Sequence, residues 1–132
     1  MRRPQLFLSH SARDSSVASM LEKSLEKLGF DTFNPMRDIG PGHNWRTSVQ
    51  AAIRRSDVVL LLMASPDTAA ASWMAYEAGM AEALGKRLVV LAPDRFSFAQ
   101  IPFELAGHRI LNVDPNVPER AARDIAHLLA AA

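Results

Sequence analysis

The 132-residue sequence predicts an α/β domain, a three-layer sandwich with a five-stranded parallel sheet of order 2-1-3-4-5 and helices on both faces. Three observations predict it. Apolar runs of strand length alternate with stretches whose apolar residues recur every three or four positions. Two of those runs, 58–63 and 88–92, are apolar without a break, as strands covered on both faces are. Glycine or proline stands at most of the changes of pattern. Right-handed crossovers leave few topologies for such an alternation. The length suits one domain over 1–132, with no repeat, low-complexity segment or linker.

Residues 5–9 form the first strand. Over 13–28, Val17, Met20, Leu21, Leu25 and Leu28 mark one helix face. Asp14 or Ser11 is placed to cap its start, and Gly29 stands where a left-handed residue ends a helix. Residues 30–33 form the second strand. Residues 34–44 hold two Pro and two Gly, which predicts a long loop without regular structure. Asn44 caps a second helix with Trp45, Val49, Ala52 and Ile53 on its inner side. Asp57 leads into strand three, 58–63. Ser72 is placed to cap a third helix that runs to Leu84 and ends before Gly85. Strand four is 88–92. Residues 93–108 read as irregular, with one short helix at 98–106 and with Phe96, Phe98 and Phe103 packed beneath the loop. Strand five is 109–113. Pro118 suits the first turn of a last helix whose apolar side is Ala122, Ile125, Leu128 and Leu129.

Fifteen Lys and Arg against fourteen Asp and Glu leave a formal charge of +1, a field too weak for nucleic acid to be the main partner. Cysteine is absent, which excludes disulfides, thiol nucleophiles and thiolate metal sites. The four His are scattered, with no pair at the i, i+4 ligand spacing, so no metal site is expected. No apolar run approaches the roughly 20 residues of a bilayer span. The apolar stretch behind Arg2 and Arg3 stops too early for a signal peptide. The expectation is a soluble, cytoplasmic protein with no membrane partner.

In a sheet of this order ligands bind beyond the carboxyl ends of the strands, where the winding reverses, here between strands one and three. Ser9, His10, Ser11, Ala12, Arg13 and Asp14 leave strand one, Ala64, Ser65 and Pro66 leave strand three, and the loop 35–44 leaves strand two at the same edge. On the third helix Trp73, Glu77, Met80 or Ala81, and Leu84 share one stripe. Glu77 is thus a carboxylate in an apolar row, one turn after a tryptophan. Such a group costs stability unless it is paired, hydrated or functional. A rim position, bonded to Arg13, Arg37 or a backbone amide, is the structural alternative to a catalytic role. The turn Ser9-His10-Ser11 can cradle an anion at a helix start or serve only as a capped turn. Gly40-Pro41-Gly42 lacks the Lys-Ser or Lys-Thr of a phosphate loop, and its glycines serve turn geometry. Trp45 reads as core. No Gly-x-Gly-x-x-Gly is present, so no resident dinucleotide cofactor is expected.

Several strings occur in a telling order. They are Phe7-Leu8-Ser9-His10-Ser11, Asp14, Gly29-Phe30-Asp31-Thr32-Phe33, Asp38-Ile39-Gly40-Pro41-Gly42, Ser56-Asp57 before the apolar strand, and Ser72-Trp73-Met74-Ala75-Tyr76-Glu77. With them the sequence resembles a Toll/interleukin-1 receptor (TIR) domain, over residues 5–92 in motif and beyond in topology. The continuation Tyr76-Glu77-Ala78-Gly79-Met80-Ala81 resembles bacterial members more than receptor tails. The resemblance implies a flavodoxin-like fold. It implies NAD+ as a consumed substrate, cleaved between nicotinamide and ribose to ADP-ribose or a cyclic isomer, with no cofactor and no metal. Glu77 matches the catalytic carboxylate and Trp73 the aromatic residue beside it. Ser9, His10 and Ser11, with Arg13 or Arg37, become the expected contacts to the pyrophosphate, and Asp38 lies at the tip of the gating loop. The loop 34–44 is also expected to join subunits by TIR–TIR contact, in bacterial immune, antiphage or stress signalling with a sensor or effector partner. Two other readings stand beside this one: a non-catalytic TIR interaction module, and an N-glycosidic enzyme of the nucleoside deoxyribosyltransferase type. A receiver domain needs acidic residues after strand one and an Asp ending strand three, where this chain has Ser9-His10 and Ala64-Ser65. A flavodoxin needs a glycine-containing phosphate loop after strand one, and 9–16 has no Gly.

Overall fold

A computed structural model describes residues 3–65, 68–93 and 109–130, the side chains of 68–72 excepted. Five strands form one parallel sheet: β1 Gln5–His10, β2 Asp31–Phe33, β3 Val58–Leu62, β4 Arg87–Ala92 and β5 Arg109–Asn112. Their order is β2-β1-β3-β4-β5, as the alternating pattern predicts. Leu8 lies opposite Leu60 and His10 opposite Leu62, so the segments leaving β1 and β3 start level with each other. That register sets the reversal point of the winding.

Strand side chains alternate between two apolar layers. Leu6, Leu8, Leu60, Leu62, Val89 and Leu91 face Ala18, Leu21, Leu25, Ala121, Ala122 and Ile125. Phe7, Val59, Leu61, Val90 and Ala92 face Val49, Ala52, Ile53, Met74, Ala78 and Ala81. The first layer is covered by α1 Ser15–Lys27 and α5 Pro118–Ala130, the second by α3 Trp45–Arg55 and α4 Thr68–Ala83. Burial of each large aliphatic side chain contributes about 2 kcal/mol, so the two unbroken strands hold the centre. Gly29 and Gly85 adopt φ +98° and +67°, the left-handed turns expected at the ends of α1 and α4.

Four local expectations are corrected. The loop 34–44 contains one helical turn, α2 Pro35–Asp38, because Asn34 Oδ1 accepts from Met36 N at 3.1 Å and Pro35 fits the first helical position. Helix α4 starts at Thr68, a turn before Ser72. Asp14 does not cap α1 with its side chain; its Oδ2 accepts from the backbone N–H groups of Ala64 at 3.0 Å and Ser65 at 3.3 Å. Ser11 also makes no side-chain cap bond to the 3-10 turn Ala12–Asp14 that precedes α1. Asn44 does cap α3, accepting from Thr47 N at 3.0 Å, but Trp45 is 37% exposed rather than core. The helix expected at 98–106, and the packing of Phe96, Phe98 and Phe103, lie outside the described residues. Among the described residues no helix is long and apolar enough to cross a membrane.

Candidate functional site

A cavity of about 300 Å³ opens at the carboxyl end of β1, on the side of the segment that leaves β2; Ala64 and Ser65, which leave β3, do not line it. Ser9, His10 and Ser11 reach it from β1, Asn34, Pro35 and Met36 from α2 and its cap, Trp45 from the first turn of α3, and Trp73 and Glu77 from α4. Helical spacing sets Trp73 and Glu77 one turn apart on the same side of α4. The sheet register then brings Ser9 against Glu77, 68 residues away in sequence.

Glu77 is fully buried. The Ser9 hydroxyl donates to its Oε1, while Oε2 takes no hydrogen bond among the described residues. Burial raises its pKa from 4.5 to about 7, with Ser9 and the Trp73 side chain pulling the other way. The pairing with Arg13, Arg37 or a backbone amide, open on the sequence, is replaced by a neutral hydroxyl. A carboxylate at the wall of a cavity, with one oxygen held and one unpartnered, is suited to act on a group that carries or develops positive charge.

Aromatic rings line one side. Trp73 stacks on Tyr76 with centroids 5.1 Å apart, and Trp45 is tilted against Trp73 at 6.2 Å. Arg46 lies over the far ring, its guanidinium carbon 5.5 Å from the Tyr76 centroid. His10 also lines the cavity; its Nδ1 contacts Ser11 O at 2.7 Å and its Nε2 contacts Asn34 Oδ1 at 3.1 Å.

Of the expected site residues, the fold brings Glu77, Trp73, Ser9, His10 and Ser11 to one cavity. It does not bring Arg13, Arg37 or Asp38 to its lining. Arg13 is exposed on the 3-10 turn. Arg37 is taken up by acids: Nη1 donates to Glu22 Oε2 at 2.6 Å, and Nε and Nη2 donate to Asp38 at 2.8 and 2.7 Å. That fork holds the Arg37 charge on the protein, raises its pKa and keeps the Asp38 carboxyl below its usual value. Asp38 also accepts from Asn34 N at 2.8 Å, so it braces the start of α2. Asn34, Met36 and Trp45 are lining residues that the sequence reading missed. A usable signal existed for Trp45: it directly follows a capping Asn at the sheet edge where ligands bind.

The TIR domain family model matches residues 6–129. The chain belongs to the TIR domain family. Solved structures share the fold of this TIR domain at low identity. The TIR domain of the Toll-related receptor TRR-2 from Hydra magnipapillata is 21% identical, with 92% of this chain and 94% of that one covered at a TM-score of 0.68. A 2-deoxyribosyltransferase from Bacillus psychrosaccharolyticus is 21% identical, covering 87% and 90% at 0.65. The CMP N-glycosidase BcmB of Clostridium botulinum is 16% identical, covering 92% and 98% at 0.61. Among curated proteins no significant sequence match is found.

Proposed function

We propose that this TIR domain cleaves the nicotinamide–ribose bond of NAD+, giving ADP-ribose or a cyclic isomer. The observation that carries the reading is Glu77, a buried carboxyl group at the wall of a cavity beside Trp73, with Oε2 unpartnered among the described residues. As the C1′–N bond breaks, its electron pair leaves with neutral nicotinamide and positive charge develops on the ribose. A fixed carboxylate next to that ring stabilises the cation or holds a ribose hydroxyl that spreads it, a contribution of several kcal/mol in a low-dielectric site. Ser9 positions the carboxylate through Oε1 and leaves Oε2 for substrate. The Trp73 face stacks on the cationic pyridinium before cleavage. Water then bonds to C1′ and gives up a proton, which yields ADP-ribose; attack by a nitrogen of the same molecule's adenine yields the cyclic product.

The test is incubation of concentrated protein with NAD+ and chromatography of nicotinamide, ADP-ribose and cyclic products, with Glu77→Ala as control. Nicotinamide release that depends on Glu77 supports the reading. Self-association with no release, even in the assembled state, leaves only an interaction module joined through the loop 34–44. A second reading, a nucleoside or nucleotide N-glycosidic enzyme, draws on the shared fold of the deoxyribosyltransferase and the CMP N-glycosidase. Turnover of nucleosides or CMP but not NAD+ would favour it. Under the NAD+ reading the partners are NAD+, further copies of this chain and a sensor or effector protein.

A further inference from the structure

The Glu77 cavity, at about 300 Å³, lies at the small end of ligand sites and suits one half of a dinucleotide. A second cavity of about 310 Å³ abuts it, and His10, Asn34 and Met36 line both. Its other walls are Ser15, Ser19 and Glu22 of α1 and Arg37 of α2. Glu22 is only 5% exposed. Burial raises the pKa of Glu22, and the Asn34 side chain and the Arg37 guanidinium favour its ionised form; Oε2 pairs with Arg37 Nη1 at 2.6 Å, while Oε1 has no hydrogen bond of normal geometry among the described residues. A buried carboxylate oxygen without a donor is costly, and a ligand that brings one removes the cost.

We propose that this second cavity binds a ribonucleoside, the other half of the dinucleotide held at Glu77, with Glu22 accepting hydrogen bonds from its ribose diol. The identity of the whole ligand rests on the NAD+ reading of the first cavity; the chemistry of the second stands on its own residues. Glu22 as a carboxylate only accepts, so the ligand group must donate. An ammonium would satisfy Glu22 but is opposed by the Arg37 guanidinium already on the same carboxylate. Ser19 adds a hydroxyl that donates and accepts, and Ser15, whose hydroxyl donates to Ala12 O at 2.8 Å, adds an acceptor, which suits a polyol better than an apolar ring. A carboxylate holding ribose hydroxyls is a recurring solution in dinucleotide sites. Met36, 49% exposed, lines both cavities, so the phosphates joining the two halves would pass along it.

AMP is the probe, since it lacks the nicotinamide half. Titrated into the full chain and followed by backbone amide NMR, it is expected to shift the signals of Ser19, Glu22 and Arg37. 2′-Deoxy-AMP is expected to bind about tenfold or more weakly, the effect of losing a hydrogen bond to a charged group. Ser19→Leu fills the cavity from an exposed position and is expected to weaken AMP about tenfold. Glu22→Gln is expected to do the same, with its thermal melt showing that it folds. Absence of AMP shifts up to about 10 mM, which is weaker than any useful site, equal affinity for the deoxy compound, or unchanged binding in Ser19→Leu overturns the proposal. AMP binding requires no bond cleavage. NAD+ turnover without AMP binding therefore overturns this proposal alone, and AMP binding without turnover overturns the NAD+ cleavage reading alone.

Discussion

Near neutral pH the Glu77 carboxyl is close to half ionised, because burial raises its pKa to about 7. If it acts as the carboxylate, kcat/KM for NAD+ rises with pH through about 7 and is flat above it, since that ratio reports the free protein. The cationic substrate favours the ionised form, so the kcat profile has its midpoint at lower pH. A profile for kcat/KM with no break between pH 5 and 8 would remove Glu77 from the chemistry. The same group acts on stability with the opposite sign. Its folded pKa lies above the unfolded value, so its contribution is fully present below about pH 4.5 and is lost as pH rises through 7. Glu77→Gln is always neutral at this position. It is expected to lower turnover about a hundredfold or more while raising the melting temperature relative to the parent at pH 8 more than at pH 5. Differential scanning calorimetry at both pH values reads the second effect. Trp73→Ala is expected to raise KM for NAD+ about tenfold and Trp73→Phe by less, as the loss of a ring face for a cation implies; steady-state kinetics on both variants checks it.

Between residue and fold, the short helix α2 is the element that joins the two cavities. Asn34 caps it through Met36 N and also contacts His10 Nε2. Asn34→Ala removes both contacts. It is expected to cost about 1 kcal/mol as a lost cap and to raise KM through a loosened Met36 wall, measured by urea unfolding together with kinetics. Asp14 plays a similar part at the reversal point, where its carboxylate holds the chain leaving β3 through Ala64 N and Ser65 N. Asp14→Ala leaves the buried Ala64 N–H and the half-buried Ser65 N–H without that acceptor and is expected to cost about 1–3 kcal/mol, seen as a lower urea midpoint. The existence of most of these elements is legible in the sequence, because apolar periodicity is a local property. The starts of α2 and α4 are less so. Asn34-Pro35 is a good helix opening, but it is followed within a few residues by Gly40-Pro41-Gly42, and the breakers outweigh it on a pattern reading.

On the scale of the whole domain, Gly40, Pro41, Gly42 and His43 stand exposed, which fits the proposed role of the loop 34–44 in assembly. Gly42 has φ +86° with nothing within 4 Å of an added Cβ. Gly42→Ala therefore strains only the local backbone, by about 1 kcal/mol. If assembly through this loop completes the active form, turnover per protomer rises with protein concentration, and Gly42→Ala moves that rise to higher concentration while lowering the melting temperature by only about 3–5 °C. Sedimentation run in parallel with nicotinamide release tests this. Turnover per protomer independent of concentration would leave the loop as a gate at most.

The alternation of strands and helices, the parallel order, the left-handed turns at Gly29 and Gly85, and the placing of Glu77 and Trp73 on one stripe can all be read along the chain. These follow from spacing along the chain, and spacing is fully present in one dimension. Tertiary structure alone decided what surrounds each group. It set Ser9 against Glu77 across 68 residues, drew Arg37 to Glu22 and Asp38 instead of the cavity, and placed Trp45 against Trp73 at the half-open cavity rim instead of in the core. Burial and pairing are properties of three-dimensional neighbours, and whether a carboxylate titrates near 4.5 or near 7 depends on them.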